Sequence, residues 1–176
     1  MKSINKILLL LIGILTFTGC VDEDFELEPT GLTDREILSN IIADQSDLSI
    51  FLELVEANNL LGNLVGNRTQ DQRAVFVPTN QAFANFLEAN DFDSPADVPN
   101  LADVLRFHIA NANVSANDLR QGSFTAIQTI LSGKNISVSR ANQQVVLNGQ
   151  NVTIVRTNAE GNGTVHVIDQ ILVPQP

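Results

Sequence analysis

Few residues of this chain could do chemistry. Among its 176 residues there are two histidines, His108 and His166, and one cysteine, Cys20. A metal centre needs several His, Cys or carboxylate ligands converging, and no His-x-x-x-His or Cys-x-x-Cys pair occurs. Asp91, Asp93 and Asp97 cluster in a polar stretch but lack the spacing of a calcium-binding EF-hand loop. Asp169 follows His166 closely enough to suggest a carboxylate that orients an imidazole, yet no nucleophile accompanies the pair. There is no Gly-x-Ser-x-Gly elbow and no Gly-x-x-x-x-Gly-Lys phosphate cradle. Gly161-Asn162-Gly163 leads into a β-rich run, so no helix N-terminus waits there for a phosphate. The expectation is a protein that is not an enzyme and holds no cofactor.

The elements that must position these residues can be read in order. Thr33-Asp34-Arg35-Glu36 fits a capping box before a helix carrying Ile37, Leu38, Ile41 and Ile42. A second helix carries Leu48, Phe51, Leu52 and Val55 and yields at Asn58-Asn59, and a short turn follows over Leu60 to Val65. Arg73 to Val77 reads as a strand stopped by Pro78. Thr79 and Asn80 are good capping residues for a helix with Phe83, Phe86 and Leu87 on one side. Asn100 can cap a helix carrying Leu101, Val104, Leu105 and His108, and Ser115 to Asp118 can cap a shorter one that ends near Gly122.

Beyond this the chain is β-rich. Strands are expected at Phe124 to Ile130, Asn135 to Arg140, Gln143 to Leu147, Asn151 to Arg156, Thr164 to Ile168 and Gln170 to Val173. Asn148-Gly149 is the strongest short hairpin signal. Asn162-Gly163 is a turn that releases the last β-rich run, and Pro174 stops it. Helices over one end and face of a mostly antiparallel sheet make an α+β domain. Both histidines lie among apolar neighbours, which suits structural imidazoles satisfied in a core.

The N-terminus carries an address. Lys2 and Lys6 mark a short basic start before an apolar run of eleven residues, Ile7 to Phe17, shorter than the roughly 20 that span a bilayer as a helix. It reads as a secretion signal over residues 1–19. Phe17-Thr18-Gly19-Cys20 resembles the lipobox of bacterial lipoproteins, which implies lipidation of Cys20 and a membrane anchor; Phe17 stands where leucine is usual. Residues 20–33 follow as an acidic tether, with five carboxylates in the seven positions from Asp22 to Glu28. An acidic cluster behind a lipidated cysteine resembles the signal that sends lipoproteins to the outer face of a Gram-negative outer membrane; the alternative is its periplasmic face. Without Lys2 and Lys6 the formal charge of −10 becomes −12, so nucleic acid is not an expected partner.

Two stretches carry a further resemblance. Ala74-Val75-Phe76-Val77-Pro78-Thr79-Asn80-Gln81-Ala82-Phe83 and Asn162-Gly163-Thr164-Val165-His166-Val167-Ile168-Asp169, running on to Pro174, resemble the two signature motifs of fasciclin-type (FAS1) domains. Between them lies a helix ending in Phe107-His108. The resemblance covers about Ile37 to Pro174 and implies a single fasciclin-like domain at residues 34–176, a β-wedge with a layer of short helices. It gives Phe76, Pro78, Thr79, Asn80, Phe83, His108, Asn162, Gly163, His166, Ile168, Asp169 and Pro174 structural roles.

The family's recurrent role is adhesion, to other surface proteins, to matrix or to a second copy. Animal members present Tyr-His and Asp-Ile segments to integrins. Here the matching positions read Phe107-His108 and Thr153-Ile154-Val155-Arg156, so integrin binding is not implied. The expected function is a lipid-anchored, non-enzymatic adhesion or protein-interaction module of the cell surface. The alternative is an accessory lipoprotein that binds a glycan or nutrient; the lack of Trp and Tyr weighs against it.

Overall fold

The computed structural model describes residues 38–64, 72–141, 144–160 and 162–175. The leader, Cys20, the acidic tether, the Thr33 to Glu36 capping box and Val65 lie outside them. The chain runs α1 (Leu38–Ala43), α2 (Ser49–Ala57), β1 (Arg73–Pro78), α3 (Asn80–Ala89), α4 (Leu101–Phe107) and α5 (Ala116–Gln121). It then turns to strands: β2 (Ala126–Gln128), β3 (Asn135–Ala141), β4 (Gln144–Leu147), β5 (Gln150–Asn151), β6 (Ile154–Glu160) and β7 (Gly163–Ile168). Single 3-10 turns occupy Ser46–Leu48, Leu61–Asn63 and Pro95–Asp97.

Two sheets make the wedge, one in the order β1-β7-β6 and the other β2-β3-β4-β5. All pairings are antiparallel except β1 with β7, which run parallel with Arg73 opposite Gly163 and Val77 opposite Val167. The segment after α4 joins the sheets. Ala110 donates its N–H to the Ala74 carbonyl of β1 at 2.8 Å, and Asn111 donates to the Gln128 carbonyl of β2 at 2.8 Å.

All six residues of β7 are buried, and so are five of the six in β1. The reason is that apolar side chains from both faces of these strands enter cores. Val75, Val77, Val165 and Val167 pack with Phe51, Val55, Phe83 and Leu105 from the helices. Ala74, Phe76 and Ile168 pack on the other side with Phe107, Leu119, Ile136 and Leu147. A strand covered on both faces reads as a continuous apolar run instead of an alternating one.

Several expectations are corrected. Gln170 to Val173 is not a strand, although Ile171 and Leu172 are buried in the two opposite cores. Its backbone groups bond to side chains, with Leu172 N–H on His108 and the Val173 carbonyl on the Asn148 amide. Asn151 to Arg156 is divided between β5 and β6, because Thr153 turns to pair with Asp169. β6 then runs on through Thr157-Asn158-Ala159-Glu160, a polar stretch that sequence leaves as a loop. Phe124 to Ile130 contributes only the short β2. Asn100 occupies the N-cap of α4 but is left-handed, at φ 53°, and its side chain makes no cap bond.

Candidate functional site

The residues of the first stretch form a corner. Phe76 is fully buried and stacks on His166, with ring centroids 5.2 Å apart and planes at 24°. Pro78 ends β1, and the Thr79 hydroxyl accepts the Ala82 N–H at 3.1 Å to cap α3. Asn80 caps a different helix. Its Oδ1 accepts the Ile50 N–H in the first turn of α2 at 3.1 Å, while its amide nitrogen donates to the Ser46 carbonyl and the Ser49 hydroxyl. Leu48, at the N-cap of α2, has no side chain able to do this. Phe83 sits one turn on in α3 and is buried in the helical core.

In the second stretch Asn162 is buried and spans the fold. It accepts the Leu38 N–H at 2.9 Å and donates to the Leu64 carbonyl at 3.0 Å. Gly163 lies against β1 so closely that a Cβ there would stand 1.9 Å from the Arg73 carbonyl oxygen. Ile168 fills the second core. Asp169 is not aimed at His166; its Oδ1 accepts the Thr153 N–H at 2.8 Å, which fixes the start of β6. Pro174 is half-buried beyond the last core residue.

Both histidines are buried and neutral, as opposite tautomers. His108 meets the Val104 carbonyl at Nδ1 (2.7 Å) and the Leu172 N–H at Nε2 (3.0 Å), so the proton sits on Nδ1. Burial lowers its pKa to about 4, against the pull of the Val104 bond. His166 meets the Val114 carbonyl at Nε2 (2.7 Å) and the Thr157 hydroxyl at Nδ1 (3.0 Å), so its proton sits on Nε2. Its pKa is also lowered, by burial first, with the Val114 bond opposing. With both nitrogens engaged, neither ring is open to a substrate or a metal. Among the described residues no three His, Cys, Asp or Glu side chains converge on a metal position. Asp97 instead accepts the Ser94 N–H at 2.8 Å, closing its own loop.

The accessible surfaces lie elsewhere. β6 is an edge strand, and a register shift between Ile154 and Arg156 makes Val155 a bulge. Val155 is 52% exposed, the one large exposed apolar side chain among the described residues. It borders a groove of about 500 Å³ between β6, α5 and β4, flanked by Arg120 and Arg156. Arg156 is held by Gln45 (2.6 Å) and Asp47 (2.7 Å) from the turn before α2. A second cleft, of about 420 Å³, lies between α3, β5 and the segment after β7.

The model of the Fasciclin domain family matches residues 46–174, most of the chain. The chain belongs to the fasciclin family. A curated relative, Protein sll1483 of the cyanobacterium Synechocystis, is 27% identical over 137 residues, spanning 76% of this chain and 71% of its own. In fold the protein is similar to a FAS1 domain pair from the insect cell adhesion molecule Fasciclin I. The TM-score is 0.53 at 20% identity, over 73% of this chain and 46% of that one. The chain thus spans about half of that two-domain structure, and the match concerns the fold.

Within this fasciclin domain Phe107-His108 and Thr153 to Arg156 differ in access. Phe107 and His108 are each only 1% exposed. Thr153 to Arg156 lines the β6 groove. Val155, Arg120, Asn85 and Gln150 do not stand out in the sequence, because they belong to no motif and gain meaning only from the elements that meet around them.

Proposed function

We infer that this fasciclin protein is a lipid-anchored, non-catalytic interaction module of the bacterial cell surface, held at Cys20 in the outer membrane and facing outward. Its family is known in cell adhesion proteins. The observation that carries the reading is the β6 edge. Beside the groove a strand presents its free side and the exposed Val155, so an extended segment of a partner protein can add to the sheet by backbone pairing while its side chains settle in the groove. Support for the absence of catalysis comes from the two histidines, both engaged through both ring nitrogens and so not free to act as general bases. Among the described residues no helix is long and apolar enough to cross a membrane, and the acyl chains on Cys20 are the proposed anchor.

The test has two arms. Protease added to intact cells is expected to digest the domain while a periplasmic control survives, and Cys20→Ser is expected to release it from the membrane fraction. For the surface, Val155→Lys is expected to abolish attachment or partner capture without lowering the melting temperature, because the side chain is exposed. Unchanged attachment with Val155→Lys would remove the β6 edge from the reading. Protection of the domain until lysis would move it to the periplasmic face. A concentration-dependent change in mass lost in the variant would identify a second copy as the partner.

A further inference from the structure

Basic side chains are few in this protein and unevenly placed. The described residues include six, Arg73, Arg106, Arg120, Lys134, Arg140 and Arg156, in a chain whose formal charge is −10. Three of them surround the β6 groove. Arg120, in the last turn of α5, and Arg156 line it. Arg140 of β3 pairs with Val145 of β4, and residues directly opposite on antiparallel strands share a face. Val145 lines the groove, so Arg140 stands on the same side. Its Cδ lies 3.6 Å from where a Cβ on Gly122, at the end of α5, would be.

Among the described residues no carboxylate lines this groove. Asp118, close to Arg120 in α5, is turned back onto the N–H and hydroxyl of Ser115. Asp47 answers Arg156 from the turn before α2. Arg120 and Arg140 are both exposed and have no carboxylate partner among the described residues. Positive charge is thus left over beside a free strand edge of an otherwise acidic protein. Val145, Val152 and Ile154 supply the apolar part of the lining.

We propose that the segment captured along β6 is an extended, acidic stretch of a partner protein. This rests on the β6 edge reading and adds the partner's charge to it. Backbone pairing holds the added strand, and the arginines select its carboxylates while rejecting basic sequences. Nucleic acid and an anionic bilayer are also negative, but they present their charge over a wide area and meet the acidic remainder of the surface. A single strand meets only the groove. Exposed charges more than about 8 Å apart are largely screened at physiological salt, so the net charge does not keep a short acidic strand from the arginines.

Fluorescence anisotropy on the full-chain protein, with short labelled peptides that alternate Val with Glu, with Gln or with Lys, tests this. The Glu peptide is expected to bind roughly tenfold more tightly than the Gln peptide, and the Lys peptide more weakly than either, with the differences shrinking as salt is raised. Arg120→Glu and Arg140→Glu, at exposed positions that leave thermal melting unchanged, are each expected to remove most of the preference for Glu while the Gln peptide binds as before. The proposal is overturned if the Gln or Lys peptide binds as well as the Glu peptide, or if neither arginine variant alters the preference; the β6 edge reading survives both results. If no peptide binds at millimolar concentration, the edge reading fails and this proposal with it. If the Glu peptide binds only after Asp24→Asn, Glu26→Gln and Glu28→Gln, the occupant is the chain's own acidic tether, and a separate partner is overturned.

Discussion

The Nε2 of His108 accepts the backbone N–H of Leu172 at 3.0 Å, tying the end of α4 to the last buried residues of the chain. A proton on Nε2 would point at that N–H donor, so His108 must stay neutral for the bond to survive. His166 is more tolerant, because the Thr157 hydroxyl opposite its bare nitrogen can turn and accept.

A pH profile follows from this. The folded pKa of His108 lies near 4 and the unfolded one near 6.5. The unfolded state therefore takes up its proton first as pH falls. Stability from this group is complete above about pH 6.5, is lost progressively down to about pH 4 and then levels off. The total amounts to about 3 kcal/mol. His166 acts in the same direction. Asp118, whose pKa is lowered by the Ser115 hydroxyl, acts only below the normal carboxylate range. Urea titrations at pH 7.5, 5.5 and 4 check the slope, which is expected to shrink in His108→Gln.

Asn80→Ala is expected to destabilise the domain by about 2 kcal/mol, more than the ~1 kcal/mol expected of Thr79→Ala, because it uncaps α2 and also cuts two bonds to the Ser46–Ser49 turn. Asn80→Asp keeps the acceptor for Ile50 and is expected to fall between wild type and alanine in the same denaturant series.

Gly163→Ala is expected to cost about 3 kcal/mol or to prevent folding, since the added methyl meets the Arg73 carbonyl in a strand pair buried on both faces. Soluble yield and thermal melting measure it. Gly133→Ala, where φ is +73° but the space is open, isolates the smaller backbone effect.

Asn162→Asp is expected to be nearly as harmful as Asn162→Ala, about 3 kcal/mol. The aspartate keeps the Leu38 bond but turns an oxygen toward the Leu64 carbonyl in a buried site. If Asp were fully tolerated by chemical denaturation, the amide donor would have no role.

Arg156→Ala is expected to cost only about 1 kcal/mol, because the pair with Asp47 is largely solvent-exposed and the one other bond lost is that to Gln45. The variant therefore reports on partner capture at the β6 groove, read by pull-down, with little disturbance of the fold.

What could be read in sequence divides along physical lines. The capped helices, the Asn148-Gly149 turn and the run from Gly163 to Ile168 are legible because each rests on local chemistry: a side chain over an amide, a positive φ at Asn148 (53°), unbroken apolar character. The parallel partner of β7 is not legible, since nothing near Gly163 announces Arg73. Gln170 to Val173 reads as a strand for a good local reason, a short apolar run stopped by Pro174, but its hydrogen bonds go to His108 and Asn148, residues far away in sequence. The same limit applies to the surfaces. Val155 becomes a bulge only through its register with β7.

The order of synthesis gives the β1 and β7 pairing another meaning. About ninety residues separate Arg73 from Gly163, so β1 emerges long before the strand that must lie beside it. Until that strand arrives, Val75 and Val77 lack the valines they pack with, and β6 has no neighbour in its sheet. Contacts this distant delay collapse to the native state. A chain of this design cannot complete its first sheet until nearly all of it has been made.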